Sequence, residues 1–281
     1  MMQACRSRQT CSVRGSVNYK WIRADRLLAM HMPGALDSGN WVSKNTILLP
    51  AIIGIVLVLL APVDLLFALP GAIGILLALY FAYARYLLSP RGGNIQNQIY
   101  DLLLAKTVWD GLGQALDIGC GNANLCIKIA LKYPGAAVVG VDTWGARWGY
   151  SKEACEKNSA IAGVGREVTF QKASASSLPF NDGTFDLVVS NLTFHEVVDS
   201  KNRRDLIREG LRVLKTGGVF VFQDLFLNRR IYGEPEALLA AIRGWGIRSV
   251  ELIDTANAAF IPRTLRSRFM VGTMAIIRGE K

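Results

Sequence analysis

This chain has little material for metal or disulfide chemistry. Its 281 residues hold two histidines and five cysteines. The cysteines, at 5, 11, 120, 126 and 155, form no C-x-x-C pair and have no histidine at metal-ligand spacing. An odd number at irregular spacing points to reduced thiols in a cytosolic compartment, not to a disulfide framework. Charge is sparse as well, at 19% Asp, Glu, Lys and Arg. The net charge of +10 comes with no RNA-binding signature and no interleaved basic and aromatic stripe, so a nucleic-acid partner is not expected. No internal repeat or low-complexity block is present.

Hydrophobicity is in excess, with 51% apolar residues and a mean hydropathy of +0.26. The excess is concentrated between 46 and 88, where only Asp64 and Arg85 carry charge. A bilayer core needs roughly 20 apolar residues in a helix, so a run of this length predicts two transmembrane helices. The expected spans are 46–61 and 65–88, breaking at Pro62 and Asp64, with Pro70-Gly71 as a kink near the start of the second. Lys20, Arg23, Arg26 and Lys44 precede the hairpin and Arg85 and Arg91 follow it. By the positive-inside rule both flanks lie on the cytoplasmic side. The sequence thus predicts a multi-pass membrane protein whose catalytic domain faces the cytoplasm. Residues 1–45 read as a basic, poorly ordered segment, in which Lys20-Trp21-Ile22-Arg23 could lie on anionic headgroups. Residues 89–97 are a linker marked by Pro90 and Gly92-Gly93.

Beyond the linker, one stretch organises the rest: Leu116-Asp117-Ile118-Gly119-Cys120-Gly121-Asn122-Ala123-Asn124. It reads as a buried strand breaking into a glycine turn and then a helix, whose free N–H groups and positive dipole end face the same space. Glycine lets the chain take positive φ and lets a ligand approach the backbone. A dinucleotide fingerprint needs a third glycine where Asn124 stands, which disfavours a nicotinamide oxidoreductase. Asp117 opposes a pyrophosphate but suits an ammonium group. The next strand ends in Asp142, where a carboxylate can accept from both ribose hydroxyls. Acid, glycine turn and second acid together fit a nucleoside bearing an amino acid.

These residues belong to an ordered series: LDIGCG (116–121), VVGVD (138–142), SSLPF (176–180), FDLVVSN (185–191) and LRVLKTGGVFVFQD (211–224). In that order and spacing the chain resembles the class I S-adenosylmethionine-dependent methyltransferases, the small-molecule type with a Leu-Pro-Phe motif, over residues 90–281. The resemblance implies an α/β fold: a doubly wound, seven-stranded Rossmann-like sheet of order 3-2-1-4-5-7-6 with an antiparallel last strand. Periodicity places the strands near 114–118, 136–141, 167–171, 185–190, 218–224, 248–254 and 269–278. Helices are expected near 95–109, 122–132, 149–162, 201–214 and 234–245. The domain is taken as 98–281.

The resemblance also assigns the site. The cofactor is S-adenosyl-L-methionine. Asp117, Gly119 and Gly121 hold its methionine part and Asp142 its ribose. Trp144 either packs on the adenine or serves packing alone. An acid that usually bonds the adenine amino group is replaced by Ser174, followed by Ala175. A hydroxyl accepts that bond without charge assistance, so Ser174→Asp is expected to tighten binding. Asn191 and Leu192 border the reacting methyl. His195 is either a general base for an O, N or S nucleophile or, with Glu196, a helix start. Two loops, 224–233 and 256–268, are candidates to edge the acceptor pocket. The expected function is methyl transfer to a small acceptor, and the tether points to a lipophilic one and to the bilayer as a partner. The alternative is a non-catalytic, cofactor-binding membrane sensor or scaffold.

Overall fold

The computed structural model describes residues 36–145 and 149–281. Lys20-Trp21-Ile22-Arg23 and the cysteines at 5 and 11 lie outside that range. The first described helix, α1 (Lys44–Leu60), is capped by the Ser43 hydroxyl on the Thr46 N–H. A turn at 61–64 follows, and Asp64 caps a 3₁₀ turn, Leu65–Phe67, through the Leu66 N–H. Helix α2 (Ala68–Leu88) then runs back along α1. Pro70 falls in the first turn of α2, where proline is tolerated. The two helices touch backbone to backbone. A Cβ on Gly54 would lie 2.8 Å from the Ile75 nitrogen, and one on Gly74 2.9 Å from the Gly54 Cα.

The expectation of two membrane spans does not hold. Among the described residues only Leu65–Leu88, 24 residues long, is long and apolar enough to cross a bilayer. The cap at Ser43 and the turn after Leu60 limit α1 to 17 residues, with Pro50 inside it. At 1.5 Å per residue that is about 25 Å, short of a hydrocarbon core of about 30 Å. The multi-pass topology, and the orientation derived from it, fall with the second span. The outer surface of the hairpin remains apolar: Leu49 is 63% exposed, Leu59 72% and Leu69 70%.

The remainder forms one seven-stranded sheet in the order β3-β2-β1-β4-β5-β7-β6, the order expected from the resemblance. The strands are β1 (Gly113–Ile118), β2 (Ala136–Asp142), β3 (Val168–Lys172), β4 (Phe185–Asn191), β5 (Leu214–Asp224), β6 (Ser249–Asp254) and β7 (Ala275–Glu280). Only β7 runs antiparallel to its neighbours. It starts at 275 rather than near 269 because the chain first folds back on itself: a Cβ on Gly272 would fall 2.0 Å from the Arg266 carbonyl.

Helices cover both faces of the sheet, so successive strand residues are buried alternately in two cores. Leu116, Val188, Phe220 and Phe222 join α6 (Arg203–Arg212) and α8 (Pro235–Arg243) on one side. Ala115, Leu187, Val189 and Val221 join α3 (Ile95–Ala105) and α4 (Asn124–Lys132) on the other. Helix α5 (Lys152–Ile161) follows β2, and the short α7 (Arg229–Tyr232) follows β5. The Leu-Pro-Phe loop is clamped by Arg212, which donates to the carbonyls of Leu178 and Phe180 and to Glu209.

The glycine contact in the hairpin generates a prediction. Gly54→Leu must push α1 and α2 apart, and overpacking of this kind costs about 1–3 kcal/mol. Thermal unfolding of the full chain should record the loss, whereas Leu59→Ala, on the exposed face, should be close to neutral.

Candidate active site

All the sequence-predicted site residues lie on the carboxyl edge of β1, β2 and β4, or in the loops leaving those strands and β3. There all but Asp117 and Trp144 line a cavity of about 390 Å³, within the range of small-molecule sites. The glycine turn forms its floor. The N–H groups of Gly119 and Cys120 both donate to the Val141 carbonyl, at 2.8 and 3.0 Å, which ties the turn to the end of β2. Gly119 has φ +76, and a Cβ there would meet Thr193 Oγ1 at 2.1 Å. No other residue fits. Ala123, Trp144 and Leu192 have positive φ without being glycine. These strained positions sit in the loops after β1, β2 and β4, where strain is commonly stored for function.

Asp142 lines the cavity, and its carboxylate accepts from the N–H groups of Gly121 and Trp144, each at 2.9 Å. Burial raises its pKa above the usual carboxylate value, against the pull of these backbone donors. Asp117 does not reach the wall. It is 1% exposed and on the core face shared with Ala115, where it accepts from the Cys126 thiol at 3.1 Å. Burial pushes its pKa up to about 7, helped by the Asp142 charge and opposed by the Cys126 bond. Trp144 also stands outside the wall, its indole N–H on the Gly121 carbonyl at 3.0 Å. Ser174 and Ala175 line the cavity.

Asn191 and Leu192 border the cavity at the end of β4. Asn191 is 8% exposed, yet neither its amide oxygen nor its nitrogen has a hydrogen-bond partner. A buried amide left unsatisfied inside a cavity is what a polar ligand would complete. His195 follows, its side chain 18% exposed, with Nδ1 2.7 Å from Asp224 Oδ1. That bond to a carboxylate puts the proton on Nδ1 and leaves Nε2 as the basic nitrogen. Burial lowers the His195 pKa, but the charge and hydrogen bond of Asp224, with Glu196 added, outweigh it, and the net shift is upward.

Two features were not anticipated. Asp224 was read only as the start of a loop. A carboxylate facing Ser174 comes from Asp199, which accepts from Ser174 Oγ at 2.7 Å and Ser176 Oγ at 2.8 Å and lines the cavity. A third feature lies ahead of α1. Residues 37–40 form a strap over the glycine turn. The Asp37 carbonyl accepts from Asn122 and Asn158, and the Ser38 carbonyl from Asn124 and Gln96. Of the two expected acceptor loops, the first contributes Leu225. The second stops just short of Phe269, Met270 and Val271, which complete the wall.

Comparison with known proteins agrees with this geometry. Residues 116–222 match the family described as Methyltransferase domain. The malonyl-[acyl-carrier protein] O-methyltransferase of Geobacter sulfurreducens is 28% identical over 203 residues, 63% of this chain and 73% of that protein. The ubiquinone/menaquinone biosynthesis C-methyltransferase of Desulfotalea psychrophila is 32% identical over 203 residues, 64% of this chain and 78% of that one. Among solved structures, the geranyl diphosphate C-methyltransferase of Streptomyces coelicolor, in complex with Mg2+, geranyl diphosphate and S-adenosyl-L-homocysteine, shares the fold. Its TM-score is 0.51 at 14% identity, covering 66% of this chain and 79% of that one. The chain belongs to the class I S-adenosylmethionine-dependent methyltransferases. It is an enzyme, and S-adenosylmethionine is its cofactor.

The strap supplies the prediction here. Asn158 is 1% exposed, donates to the Asp37 and Asn122 carbonyls and accepts from the Asp37 N–H. At about 0.5–1.5 kcal/mol per bond, Asn158→Ala should cost roughly 2 kcal/mol. Hydrogen exchange at the Asp37 amide should accelerate with it, and an unchanged rate would show that the strap does not depend on this residue.

Proposed function

We propose that the enzyme methylates a hydroxyl or protonated nitrogen on a small, lipophilic acceptor, with His195 as general base, while its apolar hairpin holds it at a lipid bilayer. The observation that carries the catalytic part is the 2.7 Å bond between His195 and the buried carboxylate of Asp224 at the wall of the cavity. S-adenosylmethionine, when bound, supplies a methyl group already activated on a sulfonium. The protein is left to position the acceptor and receive its proton, and positioning alone contributes much of the acceleration in such a displacement. Nε2 of His195 receives that proton, and Asp224 stabilises the imidazolium that results. A sensor without turnover has no use for such a dyad.

For the cofactor, the unsatisfied Asn191 amide and the Gly119–Gly121 turn are suited to the methionine end, and the remaining lone pairs of Asp142 to the ribose. Asp117 acts from behind the turn as a buried support. Asp199 takes the part that the resemblance gave to an acid at 174, with Ser174 and Ser176 as its holders. Their hydrogen bonds, the Ser174 hydroxyl first, keep the Asp199 pKa below the usual carboxylate range, so it is an anion at neutral pH. The hairpin supports the bilayer part of the reading, since its outer face is apolar along its length. Among the relatives, one is named for O-methylation of a malonyl-[acyl-carrier protein] and one for C-methylation in ubiquinone/menaquinone biosynthesis.

Three outcomes are expected. Activity requires neutral His195, so kcat/KM should fall with decreasing pH through a value above 6.5, the ordinary histidine pKa. Asp224→Asn should move that limb downward, and His195→Gln should abolish it and lower kcat by about 10²–10⁴-fold. A wild-type limb at or below 6.5 contradicts the dyad. Ser174→Asp, expected from sequence to tighten cofactor binding, should weaken it by placing a second carboxylate against Asp199. Asp199→Asn should weaken it about tenfold, as loss of a charged hydrogen bond would, and calorimetry measures both. Finally, the full chain should stay with membranes through a high-salt wash and leave them in detergent. Recovery in the soluble fraction would remove the bilayer from the proposal.

A further inference from the structure

We infer that the acceptor is a bilayer-resident amphiphile, its polar head beside His195 and its hydrocarbon tail leaving the cavity between Val198 and Phe269, along the foot of α2. This rests on the reading of a bilayer-held methyltransferase and specifies what enters its pocket.

The first observation is where apolar surface is exposed. Off the hairpin, the large apolar side chains in water among the described residues are Val108, Leu112, Ile161, Val198 and Phe269. The two most exposed of these, Val198 at 88% and Phe269 at 75%, both line the one cavity that holds His195 and Asn191. Exposed apolar groups gathered at the rim of a site mark a surface that something apolar covers.

The second is the path from that rim to the hairpin. Leu88 at the end of α2, Leu225 after β5 and Val271 all line the cavity. All three also belong to the hydrophobic cluster that seats the hairpin on the domain, together with Ala84, Ile95 and Ile99. The wall of the acceptor pocket and the foot of the hairpin are therefore one apolar surface.

The third is level. The Tyr80 hydroxyl donates to the Thr264 carbonyl at 2.9 Å and lies 3.4 Å from Ser267 Oγ. This fixes the loop carrying Phe269 against α2 eight residues before the helix ends, about 12 Å along its axis. Nearer the end of α2, Tyr83 and Tyr86 are half exposed, at 49% and 54%. Arg263 and Arg268 are exposed on the loop that Tyr80 holds, with the Arg268 guanidinium 4.9 Å from the centre of the Phe269 ring. Tyrosines on an apolar helix and arginines on the loop bonded to it are the composition of a membrane interface, where cations meet anionic headgroups. The same loop brings Phe269 to the cavity wall. A water-soluble acceptor would leave Val198 and Phe269 uncovered, whereas a tail reaching into lipid covers both.

The test uses the full chain in vesicles of phosphatidylcholine and phosphatidylglycerol. Two probes share a head, methylcatechol in the aqueous phase and dodecylcatechol in the bilayer. A third, a dodecylphenol carrying a diazirine in its tail, reports position by photocrosslinking and peptide mapping. We expect crosslinks at Val198 or within 269–271. The ratio of kcat/KM for the long over the short catechol should be about tenfold or more, since each added methylene on a covered tail adds affinity. Phe269→Ser should reduce that ratio at least fivefold, with thermal unfolding as the control for folding. Crosslinks confined to 46–79, or a ratio near one, would overturn the inference. If neither catechol is methylated while calorimetry shows cofactor bound, the base-assisted chemistry proposed above fails. The crosslinking pattern then decides the portal by itself.

Discussion

The edge of the sheet that carries the candidate site depends on one carboxylate with no access to water. Asp224 is 0% exposed, and a buried charge is tolerated only when its lone pairs are satisfied. They are: the N–H groups of Phe194 and Leu225 donate at 2.9 and 2.6 Å, and His195 Nδ1 at 2.7 Å. Bonds to a charged acceptor contribute about 1.5–3 kcal/mol each, so the segment leaving β4 is drawn onto the end of β5. Phe194 is thereby seated edge-on against Phe222, ring centres 5.3 Å apart. The position of His195 follows from the core: the carboxylate that orients the imidazole is the same one that closes the loop.

A second chain of contacts runs from that edge to the apolar hairpin. The strap over the glycine turn leads directly into α1. Asn40 donates to the Arg85 carbonyl and the Arg85 guanidinium to the Val42 carbonyl, so the start of α1 is tied to the end of α2. Trp41 packs edge-on against Tyr100 of α3, ring centres 5.6 Å apart, and both line the cavity. Asn40, Trp41 and the carbonyls of Asp37 and Ser38 thus join the hairpin to the glycine-turn side of the cavity, beside the separate seat that Ala84 and Leu88 make with Ile95, Leu225 and Val271.

What the sequence made legible was whatever depends on neighbours in the chain. The glycine turn, the strand-ending Asp142 and Asn191, and the alternation of strand and helix are local patterns, and each stands where it was expected. Relations between distant segments were not legible. Asp199 meets Ser174 across 25 residues and Asp224 meets His195 across 29, and no spacing rule links such pairs. Asn122, Asn124 and Asn158 carry no local signal of a partner until the fold aims them at the strap. The burial of Asp117 was illegible for a related reason. In a strand covered on both faces every side chain is buried, and which core receives it depends on pleat and register, so a strand-ending acid need not reach the ligand. The apolar run from 46 to 88 hid its own division, because hydropathy is blind to the cap at Ser43 and the turn after Leu60 that shorten α1.

The dyad also sets stability against activity. The pKa of His195 is higher in the folded protein than its ordinary value. A group shifted in that sense stabilises the fold fully below its unfolded pKa, and the contribution is lost as pH rises through the folded one. Catalysis by a neutral imidazole needs the opposite condition, a pH above the folded value. The general-base role proposed for His195 therefore places activity where the imidazolium no longer adds to stability. The loop at 194–196 must then be held by bonds that do not titrate with the ring, and the Phe194 and Leu225 N–H groups on Asp224 provide them. This division of labour lets the imidazole change charge while the carboxylate that aims it stays in place.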